Sequence, residues 1–384
     1  MISGEYPPDR GGVGDFTRQV AQALGDLGHQ VHVITTRSPS EGGAGPTSHT
    51  MVHRAVDGWE WGCWKQVMAL AEEWDLDVLD VQYQAAAYGM KPAINLVPGP
   101  HGRPPVVVTF HDLKVPYLFP KAGPLRWWVV RMLARRADAV IVTNREDYLH
   151  LENEIDPRKI NLIPIGSNIE PSPPAGYDRD AERARWGIGP EDLLLGYFGF
   201  LNESKGGEEL IRALHLLVER DLPAQLLKVG GRVGTSDPTN RAYAEKIERL
   251  IADLGLTERV HWTGYASPPQ VSAALLAADM CVLPYRDGVS FRRGTLLACL
   301  AHGQAIVTTR PTVPLPEVEN GKNMLLVEPR DPEGLAHAVA ELWADAGLRG
   351  ELRQGAETLA AAFTWERIAR QTAALFDSLT TGTR

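Results

Sequence analysis

Short apolar runs rich in Val, Ile and Leu alternate along this chain with longer stretches of helical period. The first set is VHVIT (31–35), DVLDVQ (77–82), PVVVTF (105–110), AVIVT (139–143) and INLIPI (160–165). Most are separated by enough residues for a helix, which is the pattern of parallel βαβ units. A stretch rich in Pro, Ser and Gly, 166–178, then breaks the periodicity and reads as a linker. The alternation restarts with LLLGYFGF (193–200), AQLLKVG (224–230), RVHWTG (259–264), MCVLP (280–284), AIVTT (305–309) and MLLVE (324–328). The expected fold class is therefore α/β, with two Rossmann-like, doubly wound parallel-sheet domains facing across a cleft. Ligands in such sheets bind beyond the carboxyl ends of the strands, which makes the cleft the expected site.

Met1, Ile2 and Ser3 read as the end of a strand shorter than the usual five or six residues, and the expectation is that the true start precedes Met1. The remaining composition mainly excludes. A length of 384 residues with 44% hydrophobic and 23% charged positions suits two globular domains and argues against disorder. The net charge of −9 speaks against a nucleic-acid partner. Three cysteines, Cys63, Cys281 and Cys299, have neither disulfide nor zinc spacing, so a reducing, cytoplasmic setting is expected and no metal site. No apolar run is long enough to span a membrane, and no basic region followed by a hydrophobic stretch marks a signal peptide.

Four segments carry candidate chemistry. Gly11, Gly12 and Gly14 precede the helical run FTRQVAQALGDLGH (16–29), and read either as a loop whose amides approach a phosphate or as a tight strand-to-helix turn. The spacing is not the dinucleotide fingerprint, because Thr17 stands where the third glycine belongs. His111 and Asp112 end PVVVTF, where a histidine can donate to a sugar or phosphate oxygen with Asp112 fixing its ring; the alternative is a capping pair. GYFGFLNESKGGEEL (196–210) places Lys205 beside glycines at a helix start, either holding an anion or solvated. The densest signal is DGVSFRRGTLLACLAHG (287–303), where Ser290, Arg292, Arg293, Gly294 and Thr295 gather guanidinium groups, hydroxyls and amides at a helix N-terminus suited to a diphosphate. Residues 113–137 contain six basic and no acidic side chains interleaved with Tyr117, Phe119, Trp127 and Trp128. They read either as a peripheral contact with anionic lipid at the inner membrane face or as a helix packing its tryptophans inward. Asp75-Leu76-Asp77, Cys299 and His302 read as structural.

Taken in order, EYPPDRGGVGDF with GHQVHVIT, VTFHD, ADAVIVTN with INLIPIGSNI, GFLNESKG, RVHWTGYASPPQV, ADMCVLPY, AHGQAIVTT, LPEVENGKNMLLVEPRD and FTWERIARQTAALFDSL resemble glycosyltransferase family 4, retaining enzymes of GT-B fold. The resemblance spans nearly the whole chain. It implies an acceptor-side domain over 1–168, a linker over 169–178, a nucleotide-sugar-binding domain over 179–363, and a last helix over 364–384 that returns to the first domain. It further implies that Gly11, Gly12 and Gly14 approach the donor phosphates or the acceptor, and that His111 contacts the donor sugar. Lys205 would neutralise the leaving diphosphate, which residues 291–295 would hold.

The chain departs from the family twice. Many members have a Glu-x(7)-Glu pair that contacts sugar and ribose, and those positions are here Ser290 and Ala298. An arginine that commonly precedes the phosphate lysine is here Phe200. Arg292 or Arg293 is expected to replace the lost charge, and Asp287 to take over sugar recognition. The expected reaction is metal-independent transfer of a hexosyl unit from a nucleoside diphosphate sugar, the co-substrate, to a hydroxyl of a glycan, lipid or small-molecule acceptor. A catalytically silent nucleotide-sugar-binding protein and a sugar-nucleotide epimerase are the alternatives.

Overall fold

A computed structural model of the chain describes residues 1–9, 11–37, 49–99, 103–113, 125–231 and 238–381. The chain divides into two compact units, Met1–Gly166 with Thr364–Arg384, and Ser167–Phe363. Unit 1 begins with β1 (Ile2–Ser3), α1 (Gly12–Asp26), β2 (Val31–Thr36), β3 (Thr50–Val56), α2 (Cys63–Glu73) and β4 (Leu79–Tyr83). It continues with β5 (Val106–Phe110), α3 (Leu125–Arg136), β6 (Ala139–Val142), α4 (Arg145–Leu151) and β7 (Ile160–Leu162). Its strands pair in parallel in the order β3-β2-β1-β4-β5-β6-β7. β3 is absent from the apolar runs read in the sequence. It lies at the sheet edge, and its middle residues His53 and Arg54 are only half-buried, so it needs no continuous apolar run.

Unit 2 contains α5 (Arg179–Ala184), β8 (Leu193–Phe198), α6 (Gly207–Glu219), β9 (Ala224–Val229), α7 (Pro238–Asp253) and β10 (Val260–Trp262). After these come α8 (Pro268–Ala277), β11 (Met280–Leu283), α9 (Gly294–Ala301), β12 (Ile306–Thr309), β13 (Leu325–Val327), α10 (Pro332–Ala344) and α11 (Ala346–Ala360). Its six strands, again parallel, run in the order β10-β9-β8-β11-β12-β13. The stretch after Gly166 belongs to this unit: the Ser172 amide donates to Ser272 Oγ on α8 (3.0 Å), and Asp178 caps α5.

The last helix, α12 (Trp365–Thr380), belongs to unit 1, where it packs on α1. Strand alternation sorts the core of that unit into two layers. Leu79, Val81, Tyr83, Val106, Val108 and Phe110 face one way, against α2 and α3. Val33, Val107 and Ile141 face the other way and meet Phe16 and Val20 of α1 and Ile368 of α12. Each side chain of this size contributes roughly 1.5–3 kcal/mol when fully covered. Trp365 lies so close to Gly166 that a Cβ there would stand 2.6 Å from its ring, so glycine is what lets the helix seat. Among the described residues no helix is long and apolar enough to cross a membrane.

Candidate functional site

In unit 2 the strand order reverses between β8 and β11, and in a doubly wound sheet a ligand crevice opens at such a reversal. The loops following these two strands flank it. After β8 the chain passes Gly199 into a single 3-10 turn, Glu203–Lys205, capped by Asn202, whose side-chain oxygen accepts from the Lys205 amide (3.1 Å). Gly206 follows with φ 69°, in the left-handed region, and a Cβ there would collide with the Pro284 carbonyl oxygen. Only glycine lets the lysine-bearing turn close onto the end of β11.

Arg286 fastens the two loops together. Its amide donates to the Ser204 carbonyl (2.9 Å), and its guanidinium donates to Glu209 (Nε to Oε1, 2.8 Å), Glu203 (2.8 Å) and Glu208 (3.3 Å). The Arg286 and Glu209 side chains are only 11% and 9% exposed, so removing either would strand a buried charge. Reading the sequence missed this residue, because its three carboxylate partners lie about eighty positions upstream.

Lys205 Nζ lies beside Gly199, close to Thr295: a Cβ on Gly199 would come within 3.2 Å of Nζ and 2.7 Å of Thr295 Cγ2. Burial, and then the charge of Arg293, brings the lysine down to about 8. Thr295 Oγ1 shares a hydrogen bond with Tyr285 Oη (2.7 Å), and the Arg293 guanidinium lies over the Tyr285 ring, 4.8 Å from its centroid. Arg293 also occupies the position just before α9, where its side chain makes no capping hydrogen bond. The positive end of that helix is thereby left to an anion. Lys205, Arg293, Gly294 and Thr295 thus converge, with Arg292 and Ser290 on the same loop.

Asp287 is placed differently from the expectation that it reads the sugar. Its carboxylate accepts from Arg292 Nη2 (2.9 Å) and from Arg293 Nη2, so it holds the two guanidinium groups side by side. Both arginine side chains are largely buried. Phe200 is half exposed, and among the described residues Arg293 Nε is a buried donor with no hydrogen-bond partner. Cys299 and His302 are packed inside: His302 Nδ1 meets the Ala298 carbonyl (2.7 Å), and Nε2 meets Ser272 Oγ (2.9 Å).

In unit 1 the glycine segment is not an open phosphate loop. α1 starts at Gly12, so Gly12 and Gly14 form its first turn and Gly11 is its cap. Glu5 Oε1 accepts from the Val13 and Gly14 amides (3.0 and 3.2 Å), and a Cβ on Gly11 would collide with that carboxylate. A helix N-terminus attracts negative charge, and here the chain supplies its own. Gly11 and Gly14 let the Glu5 loop lie against the helix, whereas a Cβ on Gly12 would meet nothing within 4 Å, and the Glu5 carboxylate holds the first-turn amides.

His111 follows β5. Its amide donates to the Tyr83 carbonyl (3.1 Å), its ring meets the edge of Phe16 at 4.7 Å between centroids, and Nε2 lies 2.9 Å from Gln82 Oε1. Gln82 therefore fixes the ring. Burial lowers the imidazole to about 3, so it is neutral at physiological pH. Asp80 and Gln82 were legible as polar residues at alternate positions of an otherwise apolar central strand, a signal passed over in the sequence reading.

Within 113–137, Lys114, Tyr117, Phe119 and Lys121 lie outside the described residues. Of the remainder, Arg131 pairs with Glu154 (3.1 Å), and Arg135 and Arg136 donate to the carbonyls of Glu154 and Val97. Trp127 packs against the core, while Trp128 is half exposed. These described arginines are engaged by the chain itself. Asp75 and Asp77 are both exposed, and among the described residues no three His, Cys, Asp or Glu side chains form a metal cluster.

Two doubly wound units, one presenting cations and an open helix start at its strand reversal, have the architecture of the GT-B fold. The comparisons agree. Residues 10–170 match the model described as Glycosyltransferase Family 4, and residues 192–345 the model for Glycosyl transferases group 1. The chain belongs to glycosyltransferase family 4. A D-inositol 3-phosphate glycosyltransferase of Corynebacterium urealyticum is 30% identical over 257 residues, covering 65% of this chain and 59% of the relative. The chain thus spans about three fifths of the length of the curated relatives it matches. Among solved structures, sucrose-phosphate synthase from Thermosynechococcus elongatus superposes with a TM-score of 0.72 at 22% identity, over 97% of this chain and 94% of the other. The Anabaena protein HepE in complex with UDP gives 0.74 at 18%, over 97% and 98%. At such identities the likeness is one of fold, the GT-B fold.

Proposed function

We propose that the chain transfers a hexosyl unit from a nucleoside diphosphate sugar to a hydroxyl of a glycan, lipid or small-molecule acceptor, with retained anomeric configuration and without a metal. The observation that carries this is the gathering of Lys205, Arg293, Thr295 and the uncapped start of α9 at the β8/β11 reversal. When the bond between the anomeric carbon and the diphosphate breaks, negative charge grows on the phosphate oxygens. Preorganised cations and amides stabilise it without having to reorganise. Lys205 and Arg293 supply charge, Arg292 and Asp287 hold Arg293 in place, and a phosphate oxygen of the leaving group takes the proton of the attacking hydroxyl. His111, neutral, contacts a sugar hydroxyl. UDP in the HepE structure is consistent with a uridine donor, and the inositol phosphate relative with a polar, phosphorylated small acceptor. The three free, buried cysteines suit a reducing compartment.

One observation favours a second reading, a silent nucleotide-sugar-binding protein: Ser290 and Ala298 stand where many family members have carboxylates. Thermal unfolding with UDP, GDP, ADP and TDP, with and without magnesium, tests the phosphate site. A ligand at 100 times its dissociation constant stabilises the folded chain by about 2.7 kcal/mol. Stabilisation by one base that is independent of magnesium, followed by a new α-glycoside when the matching sugar donor and acceptors are supplied, is expected. Stabilisation without any product supports the silent binder, and no stabilisation removes the proposal.

A further inference from the structure

Asp80, Gln82, Thr109 and His111 form a hydrogen-bonded stripe across the middle of the unit 1 sheet. Asp80 and Gln82 share one face of β4, and Thr109 lies opposite Gln82 in β5, with His111 two residues beyond it. Thr109 Oγ1 donates to Asp80 Oδ1 (2.8 Å), and Gln82 Nε2 donates to Asp80 Oδ2 (2.6 Å). Asp80 is 2% exposed. Burial raises its carboxyl, opposed by the Thr109 hydroxyl, the Met1 amine and the Gln82 amide, and both of its oxygens accept, Oδ1 from Thr109 and Oδ2 from Gln82, as those of a carboxylate do.

A carboxylate only accepts hydrogen bonds. Gln82 must therefore turn its amide nitrogen to Asp80 and its oxygen to His111, 2.9 Å from Nε2. An amide oxygen also only accepts, so the proton of the neutral ring resides on Nε2. Nδ1 is left with a lone pair.

We infer that Gln82, oriented by Asp80 and Thr109, is a positioning residue that fixes His111 in the Nε2–H form, so that His111 receives a hydrogen bond from a sugar hydroxyl instead of donating one to a phosphate. An ionised phosphate has no proton to give Nδ1, whereas every sugar hydroxyl does. The geometry thereby reverses the direction expected for this histidine. The hydroxyl-selecting step rests on the proposed function; the tautomer does not.

The test is nitrogen-15 NMR on the full chain with ring-labelled histidine. The eleven histidines are sorted by the signal that disappears in His111→Gln. At pH 7 the expected result is a protonated-type Nε2 and an unprotonated-type Nδ1. In Asp80→Asn the new amide can donate to Gln82 Oε1, the glutamine can turn over, and the Nδ1–H form should grow; Gln82→Leu should abolish the preference. Backbone amide resonances of unit 1 that match those of the wild type away from the stripe show that a variant has folded. Should both variants fail to fold, the wild-type spectrum still decides. An Nδ1–H or doubly protonated ring in the wild type overturns the inference, as does an unchanged tautomer in both folded variants. With an active donor, Asp80→Asn should lower kcat/KM roughly tenfold, the worth of about one hydrogen bond. That loss should be smaller for a donor lacking the contacted hydroxyl. The expected tautomer together with no glycosyl transfer under any condition would instead defeat the proposed function alone.

Discussion

Lys205 should take up a proton when a diphosphate binds. In the empty site it is brought from 10.5 to about 8 by burial and by Arg293. At 1.36 kcal/mol per unit, keeping it charged there costs roughly 3 kcal/mol relative to water. A diphosphate beside Nζ supplies the missing counter-charge and restores the ammonium. At pH 8 about half of the empty sites are deprotonated, so binding should absorb about half a proton; at pH 6.5 it should absorb almost none through this group. UDP, fully ionised above pH 8, is the probe, with GDP and ADP as alternatives if the base differs. Calorimetric titration in buffers of different ionisation enthalpy reads the proton count directly. The observed enthalpy should depend on the buffer at pH 8, and that dependence should vanish in Lys205→Met together with most of the affinity. Between pH 8 and 10 affinity should fall toward tenfold per pH unit. Zero uptake at pH 8, or equal uptake in Lys205→Met, would refute the placement of the lysine at the phosphate.

Three other outcomes follow from the geometry. Gly206→Ala should lower diphosphate affinity at least tenfold with a loss of stability of roughly 1–3 kcal/mol, because a Cβ at φ 69° meets the Pro284 carbonyl; denaturant unfolding and ligand titration check both. Glu5→Gln should destabilise unit 1 by about 0.3–1 kcal/mol through the start of α1, and leave UDP binding intact, since the anion position there belongs to the chain itself. His32, His53 and His111 are all lowered, chiefly by burial, so each contributes stability that is complete above the ordinary value of 6.5 and is lost as pH falls below it. Asp80 and Asp147, raised to about 6 and about 7, act in the opposite sense. Melting temperatures measured from pH 7 to pH 5 should therefore decline less in His111→Gln than in the wild type, and a parallel decline would count against a buried neutral ring.

The sheets were legible because their central strands are buried on both faces and read as continuous apolar runs. β3 escaped because an edge strand can carry His53 and Arg54. The start of α1 escaped because glycines are poor helix formers, which made its first turn look like a loop. Arg292, Arg293, Gly294 and Thr295 were visible as one cluster, since one strand-to-helix loop holds them all. What reading along the chain could not supply was pairing at a distance. Arg286 with Glu203, Glu208 and Glu209, and Gln82 with His111, are each brought together by strand order. Asp287 illustrates the same limit from the other side: its position in the motif suggested a ligand, whereas its partners are the neighbouring arginines.

The seating of Trp365 against Gly166 has a consequence for how the chain is made. Unit 1 is discontinuous in sequence, and unit 2 is emitted from the ribosome whole before α12 exists. During that interval Phe16, Val20 and Ile368's other neighbours on the α1 side of the sheet lack their cover. The segment made first is thus completed last, reversing the usual amino-to-carboxyl order of domain maturation. A nascent chain stalled after Phe363 would carry a finished unit 2 and a sticky, half-built unit 1, making this interval the point at which chaperone capture matters most.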